Sequence, residues 1–351
     1  MNSPKKVSMA DIAEKLSISK VAVSFALRGS HSVSKELRDK VLSAAREMGY
    51  SKDALVSRVM RSIRSPDGSG FCETIALINA NKDKMSLRVH PTLPTYVGGI
   101  RAAAAELGYS LDEFWLGDPF LDGDSLSKIF RSRGIRGGIL LGLFEGNELP
   151  KRFESLWKNF KFVAAGLRTF NPTLDFTSAD QFLIAHHATM KIIEHGYARP
   201  ALVLDAKIDE LVEGRFVGGY LRAQMNIREK DRLPPFMKVV EAKKNVGVFY
   251  RWFEKYKPDA ILCLYNSPKK WLEELGLKIP RDIALVQLER RKNESDWTGM
   301  DQHNDIVGEA ALKKLVDLLN RPEGSAAPHV TATIVTPQWV EAHTMKSKKG
   351  L

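Results

Sequence analysis

The chain has 351 residues, enough for two or three domains, and its 44% hydrophobic and 27% charged residues are typical of a globular protein. Its best apolar run, "GGILLGLF" at 137–144, is too short to span a membrane, and the N-terminus lacks the apolar core of a secretion signal, so we expect a cytoplasmic protein. The net charge is +11, of which residues 1–64 contribute +7. This uneven charge favours a polyanionic partner for the N-terminal segment, and a merely solvated basic surface is the alternative.

Three short helices are predicted in the first fifty residues. Ser8 to Asp11 fits a capping box that begins the first helix, Ser19 is a natural N-cap for the second, and Ser34 can cap the third. Apolar residues recur at helical spacing in each segment. Only about three residues separate the first two helices, which is the connection that a helix-turn-helix requires.

The predicted second helix lies within "SISKVAVSFALRG" at 17–29 and carries apolar residues on two faces. Val23, Ala26 and Leu27 can pack on the first and third helices, and the opposite face can enter the major groove. In the groove an apolar side chain can recognise a thymine methyl, a basic one can reach guanine or phosphate, and serine suits phosphate oxygens. The alternative is that Phe25 belongs to the core. The residues predicted to contact DNA on this helix are Ser19, Lys20, Val21, Ala22, Ser24, Phe25 and Arg28.

A linker and an α/β core follow this segment. Residues 53–60 have helix-forming composition, whereas "RSIRSPDGSG" at 61–70 is a linker by composition, in which proline and glycine break any helix. From residue 74 strand-like runs alternate with amphipathic helices, which predicts parallel sheets covered on both faces and, from the length, two lobes. The tail at 345–351 is expected to fray. The predicted strands are "TIALI", "GGILLGLF", "FVAAG", "ALVLD", "KVV", "AILCLY", "IALVQL" and "TATIV".

No catalytic signature occurs in the sequence. A phosphate-binding loop, a dinucleotide fingerprint, a nucleophile elbow and a zinc-protease motif are all missing. His186, His187 and His195 come closest to a metal group, but their spacing and the lack of further ligands favour histidines on a helix surface. We therefore predict no catalytic residue, no metal and no cofactor, although the sequence does not exclude an enzyme.

The segment "VSMADIAEKLSISKVAVSFALRGSHSVSKELRDKVLSAAREMGY" at 7–50 resembles the headpiece of the lactose/galactose repressor (LacI/GalR) family of bacterial transcription regulators. Three later segments are also similar to the family, namely "RFVGGY" at 215–220, "GLKIPRDIALV" at 276–286 and "DQHNDIVGEAA" at 301–311. The resemblance implies a core of the periplasmic-binding-protein type I with two parallel sheets. It also implies a homodimer that binds double-stranded operator DNA and a small-molecule effector.

The resemblance further implies a hinge helix at 53–60 that orders against the operator. Val59 stands where the family usually carries a leucine that wedges into the minor groove, and a dimer-contact role is the alternative. The chain departs from the family at Ser17, which replaces the usual glycine, and at Lys52, which replaces a common proline. Two family patterns of the effector lobes are also changed, since His90-Pro91 stands for N-P-[FY] and Gln287-Leu288-Glu289 for G-[FYW]-D. The resemblance therefore does not imply that the effector is a common hexose.

Five residues are predicted to line an effector pocket. Arg215 matches the family's effector arginine, and its planar fork can bind a carboxylate or neighbouring hydroxyls. Asn266 and Glu289 follow predicted strands, whose carboxyl ends collect ligands in open α/β sheets. Asp180 and Gln302 match family positions at or beside the cleft. For each residue, a surface or interlobe hydrogen bond is the alternative role.

The predicted domains are an all-α helix-turn-helix headpiece at 1–52, a hinge helix and linker at 53–70, and an α/β two-lobed core at 71–351. We expect the first lobe at about 71–197 and 302–330, and the second at about 198–301 and 331–351. The predicted function is a sequence-specific transcription regulator, a repressor, controlled by a small polar effector such as a sugar. The alternatives are a small-molecule-binding protein that no longer regulates through DNA and an enzyme with an attached DNA module.

Overall fold

The computed structural model describes residues 7–27, 33–48, 73–143, 145–291, 296–321 and 329–348. The predicted hinge helix with Val59 and the predicted DNA contact Arg28 lie outside the described residues. The chain divides into two compact units, a headpiece and a core that begins at Glu73. None of the described helices is both long enough and apolar enough to cross a membrane.

Three helices form the headpiece, and a serine begins each of them. The Ser8 hydroxyl accepts a hydrogen bond from the Asp11 amide at 3.3 Å, and the Asp11 carboxylate accepts one from the Ser8 amide at 2.6 Å. The Ser19 and Ser34 hydroxyls each accept a hydrogen bond from the amide three residues further on, at 3.1 and 3.2 Å. These contacts confirm the predicted helix starts. The helices are α1 (Met9–Leu16), α2 (Lys20–Leu27) and α3 (Lys35–Glu47).

One apolar residue from each helix meets in the centre of the headpiece. Ile12, Val23 and Val41 have no exposed surface, and alanines from all three helices surround them. Between α1 and α2 the chain turns at Ser17, whose φ of 52° lies in the left-handed region that favours glycine. The structure thus accommodates a serine at the position where the family usually has glycine.

The core alternates strands and helices as the sequence predicts. Its described strands are β1 (Glu73–Asn79), β2 (Tyr109–Trp115), β3 (Gly137–Leu141), β4 (Lys161–Ala165), β5 (Asp175–Ala179), β6 (Pro200–Val203), β7 (Ala260–Cys263), β8 (Ala284–Gln287), β9 (Gly299–Asp301), β10 (Ala332–Val335) and β11 (Gln338–Val340). Its described α-helices are α4 (Ser86–Val89), α5 (Leu93–Leu107), α6 (Gly123–Ser132), α7 (Glu154–Asn159), α8 (Gln181–Glu194), α9 (Ala206–Leu211), α10 (Arg215–Gln224), α11 (Val239–Lys244), α12 (Gly247–Tyr256), α13 (Ser267–Glu274) and α14 (Asn304–Asn320).

The strands form two sheets, one in each lobe. In lobe 1 the strand order is β10-β5-β4-β3-β1-β2, and every neighbouring pair is parallel. In lobe 2 the order is β11-β9-β8-β7-β6, parallel except that β11 runs antiparallel to β9. Central strands such as β3 and β7 are buried along their whole length, because helices cover both faces. The predicted two-lobed α/β core is confirmed.

Two predicted lobe boundaries and one predicted strand differ from the structure. β10 pairs in parallel with β5, so 332–335 belong to lobe 1 rather than lobe 2. α8 packs on β6, β7 and β9, so the chain enters lobe 2 after Asp180 rather than after residue 197. The predicted strand "KVV" is the start of α11, because the Asp205 carboxylate accepts a hydrogen bond from the Val240 amide at 2.9 Å and directs the chain into a helix.

The chain's C-terminal part is held to lobe 2 as far as residue 348. Met345 is buried, and the Tyr197 hydroxyl donates a hydrogen bond to the Lys346 carbonyl at 2.9 Å. The Lys348 amide donates to the His195 carbonyl at 2.8 Å. The expectation that 345–351 frays is therefore wrong for 345–348, since these residues find apolar and hydrogen-bonding partners that the sequence alone does not show.

In lobe 1 two glycines allow α5 and α14 to approach each other closely. A methyl group built on Gly99 would come within 1.8 Å of the Asp305 carbonyl oxygen, and one on Gly308 within 2.2 Å of the Tyr96 carbonyl oxygen. Neither helix could take a side chain there without moving. This contact places the first residues of both helices beside the cleft between the lobes.

Candidate functional site

The two faces of α2 have the environments that the sequence predicts. Val23 and Ala26 are buried in the headpiece core, and Leu27 packs against it. On the opposite face Val21 is 60% exposed and Phe25 is 39% exposed. The alternative placement of Phe25 in the headpiece core is therefore wrong.

The polar residues predicted to contact DNA surround this face. Ser19 and Lys20 are exposed, whereas Ala22 and Ser24 are half-buried. The Ser19 hydroxyl oxygen accepts a hydrogen bond from the Ala22 amide. The hydroxyl hydrogen of Ser19 can therefore donate to an external acceptor such as a phosphate oxygen. The surface therefore combines an ammonium group, hydroxyl groups and two exposed apolar side chains.

A second candidate site lies in the core, at the carboxyl ends of strands from both lobes. A cavity of about 110 Å³ opens where β3 and β4 of lobe 1 face β7 and β8 of lobe 2. Its lining is mostly apolar, with a few polar groups, as is usual for small-molecule sites. The polar side chains that line it belong to Thr92, Tyr96, Gln181, Glu289 and Gln302.

Glu289 makes hydrogen bonds that join the two lobes. It follows β8 of lobe 2, and its carboxylate accepts from the Thr92 hydroxyl at 3.0 Å and from the Asn304 amide at 2.9 Å, both in lobe 1. Arg291 adds an ion pair at 3.2 Å. Burial raises the pKa of the Glu289 carboxyl, and the Arg291 charge opposes that rise. In this arrangement the carboxylate uses most of its acceptor capacity on the protein itself.

Arg215 lies at the start of α10, next to lining residues of the cavity. Its Nε donates to the Val212 carbonyl at 2.9 Å, while its Nη2 is buried and has no hydrogen-bond partner among the described residues. Burial lowers the pKa of the guanidinium, and the nearby Glu213 carboxylate opposes that effect. The group stays charged, since arginine does not lose its proton in proteins. A buried cationic donor without an acceptor is suited to a ligand that brings one.

The other predicted pocket residues differ in position. Gln302 lines the cavity and donates to the Leu288 carbonyl at 2.8 Å. Asp180 caps α8 at the crossing between the lobes, where its carboxylate accepts from the Leu183 amide at 2.9 Å. Asn266 is exposed and outside the cavity lining, and its side chain accepts a hydrogen bond from Gln287 at 2.6 Å. The structure thus brings Glu289, Gln302 and the neighbourhood of Arg215 together, but not Asn266.

Sequence reasoning missed four polar residues at the cleft, namely Gln181, Thr92, Tyr96 and Asn304. Gln181 follows Asp180, and its Oε1 is buried without a partner while its Nε2 donates to Ser178 at 2.8 Å. Thr92 and Asn304 begin or precede helices of lobe 1. The available signal was the position of Gln181 directly after Asp180, which matches a family position at or beside the cleft, whereas Thr92 and Asn304 become visible only when the lobes meet.

The histidines at 186, 187 and 195 are not assembled as ligands. His186 stacks on Phe182, with ring centroids 6.0 Å apart, and His195 pairs with Glu341 at 3.3 Å. Within the described ranges no group of three or more histidine, cysteine, aspartate or glutamate side chains is placed to hold a metal ion.

Comparisons with known proteins cover both units. Residues 8–53 match the family model "Bacterial regulatory proteins, lacI family". Over 331 residues, 90% of this chain and 93% of the relative, the sequence is 22% identical to the HTH-type transcriptional regulator CelR of Thermobifida fusca.

Two solved structures share the fold over almost the whole chain. A CelR–cellobiose complex aligns with a TM-score of 0.58 at 18% identity, covering 97% of this chain and 100% of the other. The lac repressor dimer bound to operator and the anti-inducer ONPF aligns with a TM-score of 0.57 at 16% identity, with the same coverage. The headpiece match and the fold of the core agree with the resemblance found in the sequence. Residues 8–53 match the lacI family of bacterial regulatory proteins, and the chain shares the fold of the two regulators compared above.

Proposed function

We propose that this protein is a sequence-specific transcription regulator of the cytoplasm that represses its target genes as a homodimer on double-stranded operator DNA. The observation that carries this proposal is α2, an intact second helix of a helix-turn-helix whose outer face exposes Ser19, Lys20, Val21 and Phe25. The basic charge of residues 1–64 supports a DNA partner, because lysine and arginine release counterions from the phosphate backbone.

We further propose that a small polar effector binds between the lobes of the core. The unpartnered Arg215 Nη2 and Gln181 Oε1 offer one donor and one acceptor, a combination that hydroxyl groups satisfy well. The similarity to a regulator solved with cellobiose supports a sugar or sugar derivative. The cavity of about 110 Å³ is smaller than the roughly 300–1,000 Å³ of most ligand pockets, so a sugar requires the lobes to move.

Binding of the effector would compete with the hydrogen bonds that Glu289 makes to Thr92 and Asn304. These contacts hold the lobes in the arrangement described above. An effector can change operator affinity only by binding one arrangement of the protein more tightly than another. We therefore expect a measurable coupling between effector binding and operator binding.

The test is selection of genomic DNA fragments with the full-length protein, followed by gel-shift titrations with and without added sugar. Cellobiose, maltose, glucose and ribose are the first probes, and genes beside the selected fragments suggest others. We expect one enriched sequence with two related half-sites and an affinity that changes with one probe. Failure to enrich any sequence would contradict the DNA-binding function and leave the small-molecule-binding alternative.

A further inference from the structure

The outer face of α2 carries two apolar side chains one helical turn apart. Val21 and Phe25 are 60% and 39% exposed, and they are the large exposed apolar residues of the described headpiece. Side chains four apart on a helix lie on the same face, about 6 Å apart along the axis. Lys20 and Ser19 flank them, so the apolar pair lies within a surface otherwise suited to phosphates.

An apolar pair on a DNA-reading helix has a specific chemical match. The polar base edges of the major groove require donors or acceptors, which valine and phenylalanine lack. The apolar mark in that groove is the C5-methyl group of thymine. A Val21 or Phe25 placed against any other base edge would leave polar atoms without partners and gain little.

We propose that Val21 and Phe25 read the methyl groups of thymines in each operator half-site. The inference rests on the proposed DNA-binding function and specifies the chemistry by which α2 selects its sequence. Since bases along one strand rise by 3.4 Å and the two side chains by about 6 Å, the two thymines lie one or two base pairs apart. Recognition at these positions depends on apolar contact rather than on hydrogen bonds.

The test replaces thymine by uracil, one position at a time, in the duplex recovered by genomic selection. Uracil pairs like thymine but lacks the C5-methyl group. With the full-length protein we expect affinity to fall about four-fold at one or two positions of each half-site, which corresponds to ~0.8 kcal/mol for one buried methyl group. Uracil elsewhere in the half-site should have little effect.

Two variants assign the contacts. Phe25→Ala and Val21→Ala should each bind the thymine duplex more weakly and become insensitive to uracil at one of the affected positions. The matched control is Leu221→Ala, which removes a 47% exposed apolar side chain from the surface of α10, outside the headpiece. This variant should lose affinity at the same uracil positions as the parent. Because Val21 and Phe25 are exposed, we expect both variants to keep the headpiece fold, which circular dichroism of the variants checks.

The outcomes separate this inference from the proposed function. If a sequence is enriched but uracil has no effect at any position, the methyl readout is wrong and the DNA-binding function stands. If uracil weakens binding equally in the parent and both variants, other residues read the thymines and the assignment is wrong. If no sequence is enriched, the proposed function itself fails.

Discussion

Replacing Arg215 by methionine should separate effector binding from stability. The substitution keeps an unbranched apolar stem and removes the guanidinium. In the protein without effector the lost Nε hydrogen bond costs little, because the Val212 carbonyl also accepts from the Arg215 backbone amide at 3.2 Å. Removing the buried, unpartnered Nη2 relieves a penalty of ~1–3 kcal/mol. We expect the free energy of unfolding to stay unchanged or to rise by about 1 kcal/mol.

The effect on effector binding should be opposite and larger. A hydrogen bond to a charged group contributes about 1.5–3 kcal/mol, so its loss raises the Kd of the effector roughly 10- to 150-fold. At an effector concentration of 100 times the parent's Kd, the parent gains about 2.7 kcal/mol of stability. The same concentration should stabilise Arg215→Met by only about 0.3–1.4 kcal/mol.

Urea unfolding with and without the effector found by the sugar screen measures both quantities. Arg222→Met, which removes an exposed arginine from the same helix, is the control and should respond to effector like the parent. Operator affinity without effector should be unchanged in Arg215→Met, since Arg215 belongs to the core and not to the headpiece. If Arg215→Met keeps the full stabilisation by effector, or loses several kcal/mol of unfolding free energy without effector, the proposal that the Arg215 guanidinium binds the effector is refuted.

Five further substitutions test other parts of the structure. Lys20→Ala should weaken operator binding and reduce the slope of log K for operator binding against log salt concentration by about one in gel shifts. An unchanged slope would show that Lys20 contacts no phosphate. Because burial raises the pKa of the Glu289 carboxyl in the folded protein, this group adds to the free energy of unfolding below about pH 4.5, and the contribution is lost as the pH rises through the folded-state pKa. In Glu289→Gln the free energy of unfolding should therefore fall less with rising pH, which urea unfolding at a series of pH values measures. Gly99→Ala should destabilise by ~1–3 kcal/mol, whereas Gly98→Ala, whose methyl meets nothing within 4 Å, should stabilise by up to about 1 kcal/mol in thermal melts. Ser17→Gly should raise the free energy of unfolding of the headpiece by ~0.5 kcal/mol. The reason is that a left-handed backbone costs serine slightly more than glycine loses in conformational entropy on folding. A destabilised headpiece would contradict this.

Only some of the residues at the ligand cleft could be predicted from the sequence. Glu289 and Gln302 could be named because one follows a predicted strand and the other matches a family segment, and both line the cavity. Asn266 was named by the same strand-end argument, yet its side chain bonds to Gln287 instead. Position at a strand end therefore predicts the neighbourhood of a site, whereas the rotamer and the nearest partner decide whether a side chain reaches it.

The sequence by itself determined the local features of this protein. Serine caps at Ser8, Ser19 and Ser34 set the helix starts, and the 3.6-residue period separated the buried Val23 from the exposed Phe25, because both effects depend on residues within one or two turns. Apolar runs likewise determined most of the parallel strands.

Only the tertiary structure decided how distant segments meet. Thr92 and Glu289 are 197 residues apart and hydrogen-bond across the lobes. The pairing of β10 with β5, the packing of α8 on lobe 2 and the attachment of 345–348 to lobe 2 depend in the same way on partners far along the chain. Such contacts follow from which surfaces the folded lobes present to each other, and a one-dimensional pattern of apolar and polar residues does not contain that information.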